Sequence, residues 1–83
     1  MYSIKIIPQA QKDLSTLRGK IFEQIKKKIL GLKIEPRPNG CKKLTEDEGY
    51  RVRVGNFRVL YKIYDNLKKI IVYRIKHRRE AYR

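Results

Sequence analysis

The hydrophobic pattern of this 83-residue chain changes period once, at the break Glu35-Pro36-Arg37-Pro38-Asn39-Gly40. Two prolines and a glycine in so short a stretch deny a helix or a central strand its continuous backbone donors. Before the break, apolar residues recur at helical spacing. Ala10, Leu14 and Leu17 mark a short first helix that Gly19 interrupts, and Ile21, Phe22, Ile25, Ile29 and Leu32 form the stripe of a second. After the break the period is two. Cys41–Leu44 reads as a short strand, and Tyr50–Val54, Phe57–Tyr64 and Lys68–His77 as longer ones. Gly55-Asn56 and a turn around Asp65-Asn66-Leu67-Lys68 join the longer three. Ahead of everything, Tyr2, Ile4 and Ile6 alternate as in a strand that Pro8 ends, the proline serving as an early helical residue.

A strand, two helices and then a run of strands predict an α+β domain. The expected form is a mostly antiparallel, twisted sheet of four to five strands with an N-terminal helical hairpin packed on one face. No internal repeat or second domain is visible, so residues 1–83 are read as one domain. On the last strand, Ile71, Tyr73 and Ile75 are expected to form a single apolar line.

Charge narrows the function. A formal net charge of +14 on this length repels itself and attracts polyanions, while 41% hydrophobic residues separate the chain from disordered basic tails. Nucleic acid, an acidic protein, or both are the implied partners. Cys41 is the sole cysteine and His77 the sole histidine, which leaves no internal disulfide and no zinc-ligand cluster. No cofactor or metal is expected. With no stretch of transmembrane length, a cytoplasmic protein without a membrane partner is the expectation.

The most informative geometry lies in the hairpin. If Gly55-Asn56 is a two-residue turn, Val54 faces Phe57, Arg53 faces Arg58 and Val52 faces Val59. Val52, Val54, Phe57 and Val59 then share the face that the helices cover, and Arg51, Arg53 and Arg58 share the other. Two arginines directly opposed across a ladder repel by about 0.2–1 kcal/mol. An anion within reach of all three accounts for their presence, and the guanidinium fork suits a phosphate. The last strand brings back a tail holding His77, Arg78, Arg79 and Tyr82. It thus adds an imidazole, the side-chain type whose unperturbed pKa lies near neutrality, more cations, and a ring that can stack on a base. By contrast, Lys20, Lys26, Lys27 and Lys28 lie on the polar side of the second helix, a position that solvation alone accommodates.

These residues give the chain a resemblance to the RelE toxins of the RelE/ParE superfamily of prokaryotic toxin–antitoxin systems. It covers essentially the whole chain, through "IIPQAQKDLSTL", the lysine-rich helix and "KKL". Its most specific parts are "GYRVRVGNFRVLYKI" and the closing "IVYRIKHRREAYR". The resemblance implies a RelE-like, microbial-RNase-like fold. It also implies a metal-independent endoribonuclease, an mRNA interferase that cuts messenger RNA in the ribosomal A site and inhibits translation. The implied reaction is attack of a ribose 2′-OH on the adjacent phosphate, leaving a cyclic phosphate on one fragment and a 5′-OH on the other. Such a reaction needs a proton acceptor, cations around the crowded phosphorane, and a donor for the leaving oxygen.

Carried over residue by residue, Arg51 and Arg53 fall where family members often hold basic residues. Arg58 falls where phosphate stabilisation is expected. Arg78 and Tyr82 fall on the terminal arginine and tyrosine, with Tyr82 stacking on the A-site nucleotide. His77 is the added candidate, since related subfamilies place a histidine in this tail. Arginine keeps its proton at neutral pH, so a base role falls to His77, Tyr82 or an arginine-supported water. Lys20, Lys26, Lys27, Lys28, Lys42, Lys43, Arg79 and Arg83 are the expected contacts to RNA and ribosome. The implied partners are a RelB-like antitoxin bringing acidic and apolar surface, and a 70S-type ribosome with its mRNA. Two other readings keep the fold but change the activity: a ParE-like inhibitor of DNA gyrase, and an RNA-binding module without chemistry. ParE-like chains usually lack the clustered cations and terminal tyrosine.

Overall fold

Pro8 opens the first helix because its fixed φ suits a position whose backbone nitrogen would have no helical partner. The computed structural model describes residues 1–44 and 49–79. Their order is β1 (Ser3–Ile6), α1 (Pro8–Ser15), α2 (Gly19–Gly31), β2 (Lys42–Lys43), β3 (Tyr50–Val54), β4 (Phe57–Tyr64), a short 3₁₀ turn (Asp65–Leu67) and β5 (Lys69–His77). The strands form one sheet in the order β1-β5-β4-β3-β2. Pairing is antiparallel from β2 through β5, and β1 runs parallel to β5. The expected α+β architecture is present, with five strands and a mixed sheet.

One face of the sheet and the two helices enclose the core. Ala10 of α1, Ile25 and Ile29 of α2, and Leu32 just beyond it meet Val52, Val54, Val59, Tyr61, Ile70, Val72 and Ile75 of the sheet. Each fully buried aliphatic side chain contributes roughly 1.5–3 kcal/mol. No helix among the described residues is long and apolar enough to cross a membrane.

The two-proline break is strapped across one end of this core. The Tyr61 hydroxyl donates to the Pro36 carbonyl at 2.8 Å. Burial, with Cys41 nearby, raises the pKa of the Tyr61 phenol and keeps it a neutral donor. Arg37 pairs with Asp65 at 2.9 Å and lies 5.2 Å over the Tyr50 ring. The β3–β4 turn lies at the opposite end of the sheet.

The pairing of β4 with β5 contains one irregularity. Tyr61 opposes Val72 and Leu60 opposes Arg74, so Tyr73 is an extra residue, a β-bulge. An unbroken β5 with Ile70 and Val72 turned inward would also turn Arg74 and Lys76 inward and Ile75 outward. The bulge reverses this, and Ile75 is 4% exposed. The apolar line expected at Ile71, Tyr73 and Ile75 is therefore not formed; the buried line is Ile70, Val72 and Ile75.

Asp13 holds the bulge. β1 pairs with β5 over Lys69–Val72, and among the described residues no strand pairs with the later half of that edge. There the Asp13 carboxylate accepts from the Ile75 backbone N–H and from Arg74 Nε, both at 2.9 Å. Burial works against its ionisation, but the hydrogen bonds from Arg74 and Ile75 and the Arg74 charge outweigh it and depress the pKa.

A depressed folded-state pKa stabilises the fold above the unfolded-chain value of about 3.9, and the contribution is lost as pH falls through the folded value. Asp13→Asn is expected to lose about 1–3 kcal/mol at neutral pH, since it weakens a half-buried pair of charge-assisted bonds. Urea unfolding at several pH values checks both points: the variant should lose less stability than the wild type on acidification.

Candidate functional site

Gly55 has φ 61°, while Asn56 does not enter positive φ. This is the type II′ pattern, whose twist matches the two strands and whose first position favours glycine. The resulting register is the one a two-residue turn dictates: Val54 opposes Phe57, Arg53 opposes Arg58 and Val52 opposes Val59. Val52, Val54 and Val59 are buried beneath the helices, with Phe57 packed beside them. Arg51, Arg53 and Arg58 take the other face. Arg53 is exposed and Arg51 half-buried, whereas Arg58 is only 4% exposed.

The tail reaches the hairpin through one backbone bond. The Arg78 N–H donates to the Asn56 carbonyl at 2.7 Å, which seats the residue after β5 against the turn. Arg53, Arg58 and Arg78 then line a pocket of about 160 Å³ with Gly55, Asn56 and Phe57. That is well below the ~300 Å³ at which drug-sized ligands are enclosed, and it suits a group the size of a phosphate. The Arg58 charge sits largely out of water, where it acts on an entering anion with little screening. The arrangement can hold and neutralise a phosphate. Its arginines cannot accept a proton.

The remaining candidates are placed differently. Arg51 lies two pairs further from the turn than Arg53, between Lys42 and Leu60, and does not line the pocket. His77 pairs with Phe57 and meets its ring edge-on at 5.1 Å, which turns it to the helix side of the sheet. Its Nδ1 accepts the Arg79 N–H at 3.3 Å. Lys20, Lys26, Lys27 and Lys28 belong to α2, on the layer away from the arginine face. Lys42 shares the side of Arg51, and Lys43 pairs with Tyr50; both are exposed on the short edge strand. Arg79 is exposed. Tyr82 and Arg83 lie outside the described residues.

One residue absent from the sequence expectations borders the site. Lys76 opposes Arg58 on the arginine face. The β4–β5 register would have revealed it, but the link between those strands is too long to dictate a register, and the bulge shifts it by one.

Comparison with known proteins agrees with the fold. A family model described as the ParE toxin of the type II toxin–antitoxin system parDE matches residues 4–82. The RelE1 toxin candidate of Methanocaldococcus jannaschii is 35% identical over 86 residues, 99% of this chain and 96% of that one. The archaeal RelE–RelB complex of Pyrococcus horikoshii superposes with a TM-score of 0.83 at 29% identity, covering 93% of this chain and 94% of that one. The RelBE2 toxin–antitoxin complex of Mycobacterium tuberculosis gives 0.80 at 26% identity, covering 92% and 96%.

The opposed arginines imply a stability cost at the site. Arg53→Gln is expected to raise unfolding free energy by about 0.2–1 kcal/mol while weakening binding of polyanions. Urea titration beside a heparin-column salt elution separates the two effects.

Proposed function

We propose, from the premise that the chain belongs to the RelE/ParE superfamily of type II toxins, that it is a ribosome-dependent endoribonuclease cutting messenger RNA in the A site. The observation that carries this reading is the small pocket where Arg53, Arg58 and Arg78 converge from hairpin and tail. A ribose 2′-OH attacks the neighbouring phosphorus, a cyclic phosphate forms, and the 5′-oxygen of the next nucleotide leaves. The three guanidinium groups meet the charge that grows on the phosphorane oxygens. Their stabilisation is largest in the transition state, where the phosphate is most crowded and most charged. Arg51 extends the cationic face along the entering strand. Tyr82, in this reading, stacks on the A-site base and takes part in proton transfer; the placement of His77 favours Tyr82 or a bound water for that step.

A RelB-type antitoxin is the partner, as in the complexes of similar fold. With a net charge of +14, the chain suits a partner with acidic surface. The ribosome supplies the ordered substrate strand that a pocket of this size cannot organise, and Lys42 and Arg79 offer exposed charge to its RNA. Free messenger is therefore expected to be cut negligibly.

The test uses programmed ribosomes with an empty A site and maps cuts by primer extension. A discrete A-site cut is expected, slowed roughly 100-fold or more in Arg78→Ala and Arg58→Ala, as for loss of one transition-state donor. Arg78 is exposed, so its variant keeps the fold. Tight ribosome binding without a cut would overturn the nuclease in favour of a binding module. Inhibition of DNA supercoiling by gyrase, with no cut, would support the ParE-like activity instead.

A further inference from the structure

We propose that Lys76 contacts the substrate, as the third cation of a row that carries a single-stranded RNA backbone across the sheet. The inference rests on the RNA reading above and extends it to a residue and a direction. Arg53 on β3, Arg58 on β4 and Lys76 on β5 are successive partners in the strand register. Neighbouring strands lie about 4.8 Å apart, so the row runs on the order of 10 Å at right angles to the strands. That is longer than one phosphate group. It fits an extended backbone that lays its reacting phosphate at Arg58 and the flanking phosphates toward Arg53 and Lys76.

Three observations support the assignment. First, the carboxylates that pair elsewhere are engaged away from this row: Asp13 by Arg74, Asp65 by Arg37. Arg53 and Lys76 make no hydrogen bond or ion pair among the described residues. Second, like charges directly opposed across strands cost about 0.2–1 kcal/mol, and the outward position of Lys76 does not require a cation for packing. Third, the bulge at Tyr73 sets Lys76 rather than Ile75 beside Arg58. Lys76 is half-buried, its stem on the sheet and its ammonium free to turn toward a passing phosphate. An ammonium is a compact point charge with rotatable donors, suited to a backbone that slides past, whereas the arginine forks suit the phosphate that must be held.

The test measures binding of a short, fluorescein-labelled, 2′-O-methyl single-stranded RNA by anisotropy over a KCl series, with urea unfolding alongside. Lys76→Gln is expected to bind roughly fivefold more weakly at low salt and to lower the slope of log affinity against log salt by about 0.7, the single-strand value for one phosphate. Lys76→Arg should restore both. Lys33→Gln, which removes the same charge at the opposite end of the sheet, should change the slope by less than half as much. Lys76→Gln should be at least as stable as the wild type, because it relieves repulsion. An unchanged slope in Lys76→Gln overturns the proposal, and so does an equal loss in Lys33→Gln or a failure of arginine to restore. Since this RNA cannot be cut, the result is independent of catalysis. A chain that never cuts messenger but shows the Lys76 slope change refutes the nuclease and keeps the RNA track.

Discussion

The contact between Asp13 and the bulged segment of β5 connects the helical layer to the cationic face. Without an extra residue at Tyr73, the alternation that buries Ile70 and Val72 would bring Arg74 and Lys76 into the core and expose Ile75. The bulge costs a ladder position, and its backbone needs another partner. Asp13 supplies one by taking the Ile75 N–H, and it anchors Arg74 at the same time. A single carboxylate on α1 thus decides which side chains from the end of β5 stand beside Arg58. It also brings His77 and Arg78 into register with the β3–β4 turn, where the Arg78 N–H meets the Asn56 carbonyl.

The distribution of charge follows from the same economy of acids. With 8 acidic residues against 22 lysines and arginines, most cations have no carboxylate to meet. The described ion pairs are at places where chain geometry needs holding: Asp13–Arg74 at the bulge, and Asp65–Arg37 where the proline-rich loop crosses the end of the sheet. The turn-proximal half of the other face keeps Arg53 opposite Arg58 and Arg58 opposite Lys76. Both ends of the molecule thus use arginine, but with opposite outcomes. At one end the guanidinium is neutralised by aspartate and lies on tyrosine, which makes a latch. At the other, Arg53, Arg58 and Lys76 stand side by side on neighbouring strands, which concentrates positive charge.

The hairpin could be read from the sequence because a two-residue turn leaves no freedom in register. Once Gly55-Asn56 is the turn, the opposition of Arg53 and Arg58 follows from pleating alone. The break at Glu35–Gly40 likewise separated helices from strands, because proline and glycine act locally. What could not be read was set by contacts distant in the chain. The parallel direction of β1 is not encoded in a period of two. The bulge depends on Asp13, some sixty residues away from the strand it holds. The expected apolar line at Ile71, Tyr73 and Ile75 failed because the period is interrupted where a helix approaches the strand. The position of His77 changed for the same reason: the shifted register pairs it with Phe57, on the side the helices cover.

That shift also shapes the chemistry the pocket can perform. Its lining joins three arginines to the β3–β4 turn, which favours binding a phosphate and stabilising added negative charge. Arginine does not exchange protons at neutral pH, and the ring of His77 is directed at Phe57 with Nδ1 already accepting a bond. In the proposed reaction, charge stabilisation and proton transfer therefore belong to different parts of the chain. The hairpin would perform the first. The second would fall to Tyr82, or to water ordered when substrate fills the site. In the proposed reaction, such a division explains why so small a domain would depend on a larger assembly. A cationic pocket lowers the barrier only when the 2′-oxygen, phosphorus and leaving oxygen are already in line, and a pocket of about 160 Å³ among the described residues is too small to impose that alignment on a flexible strand.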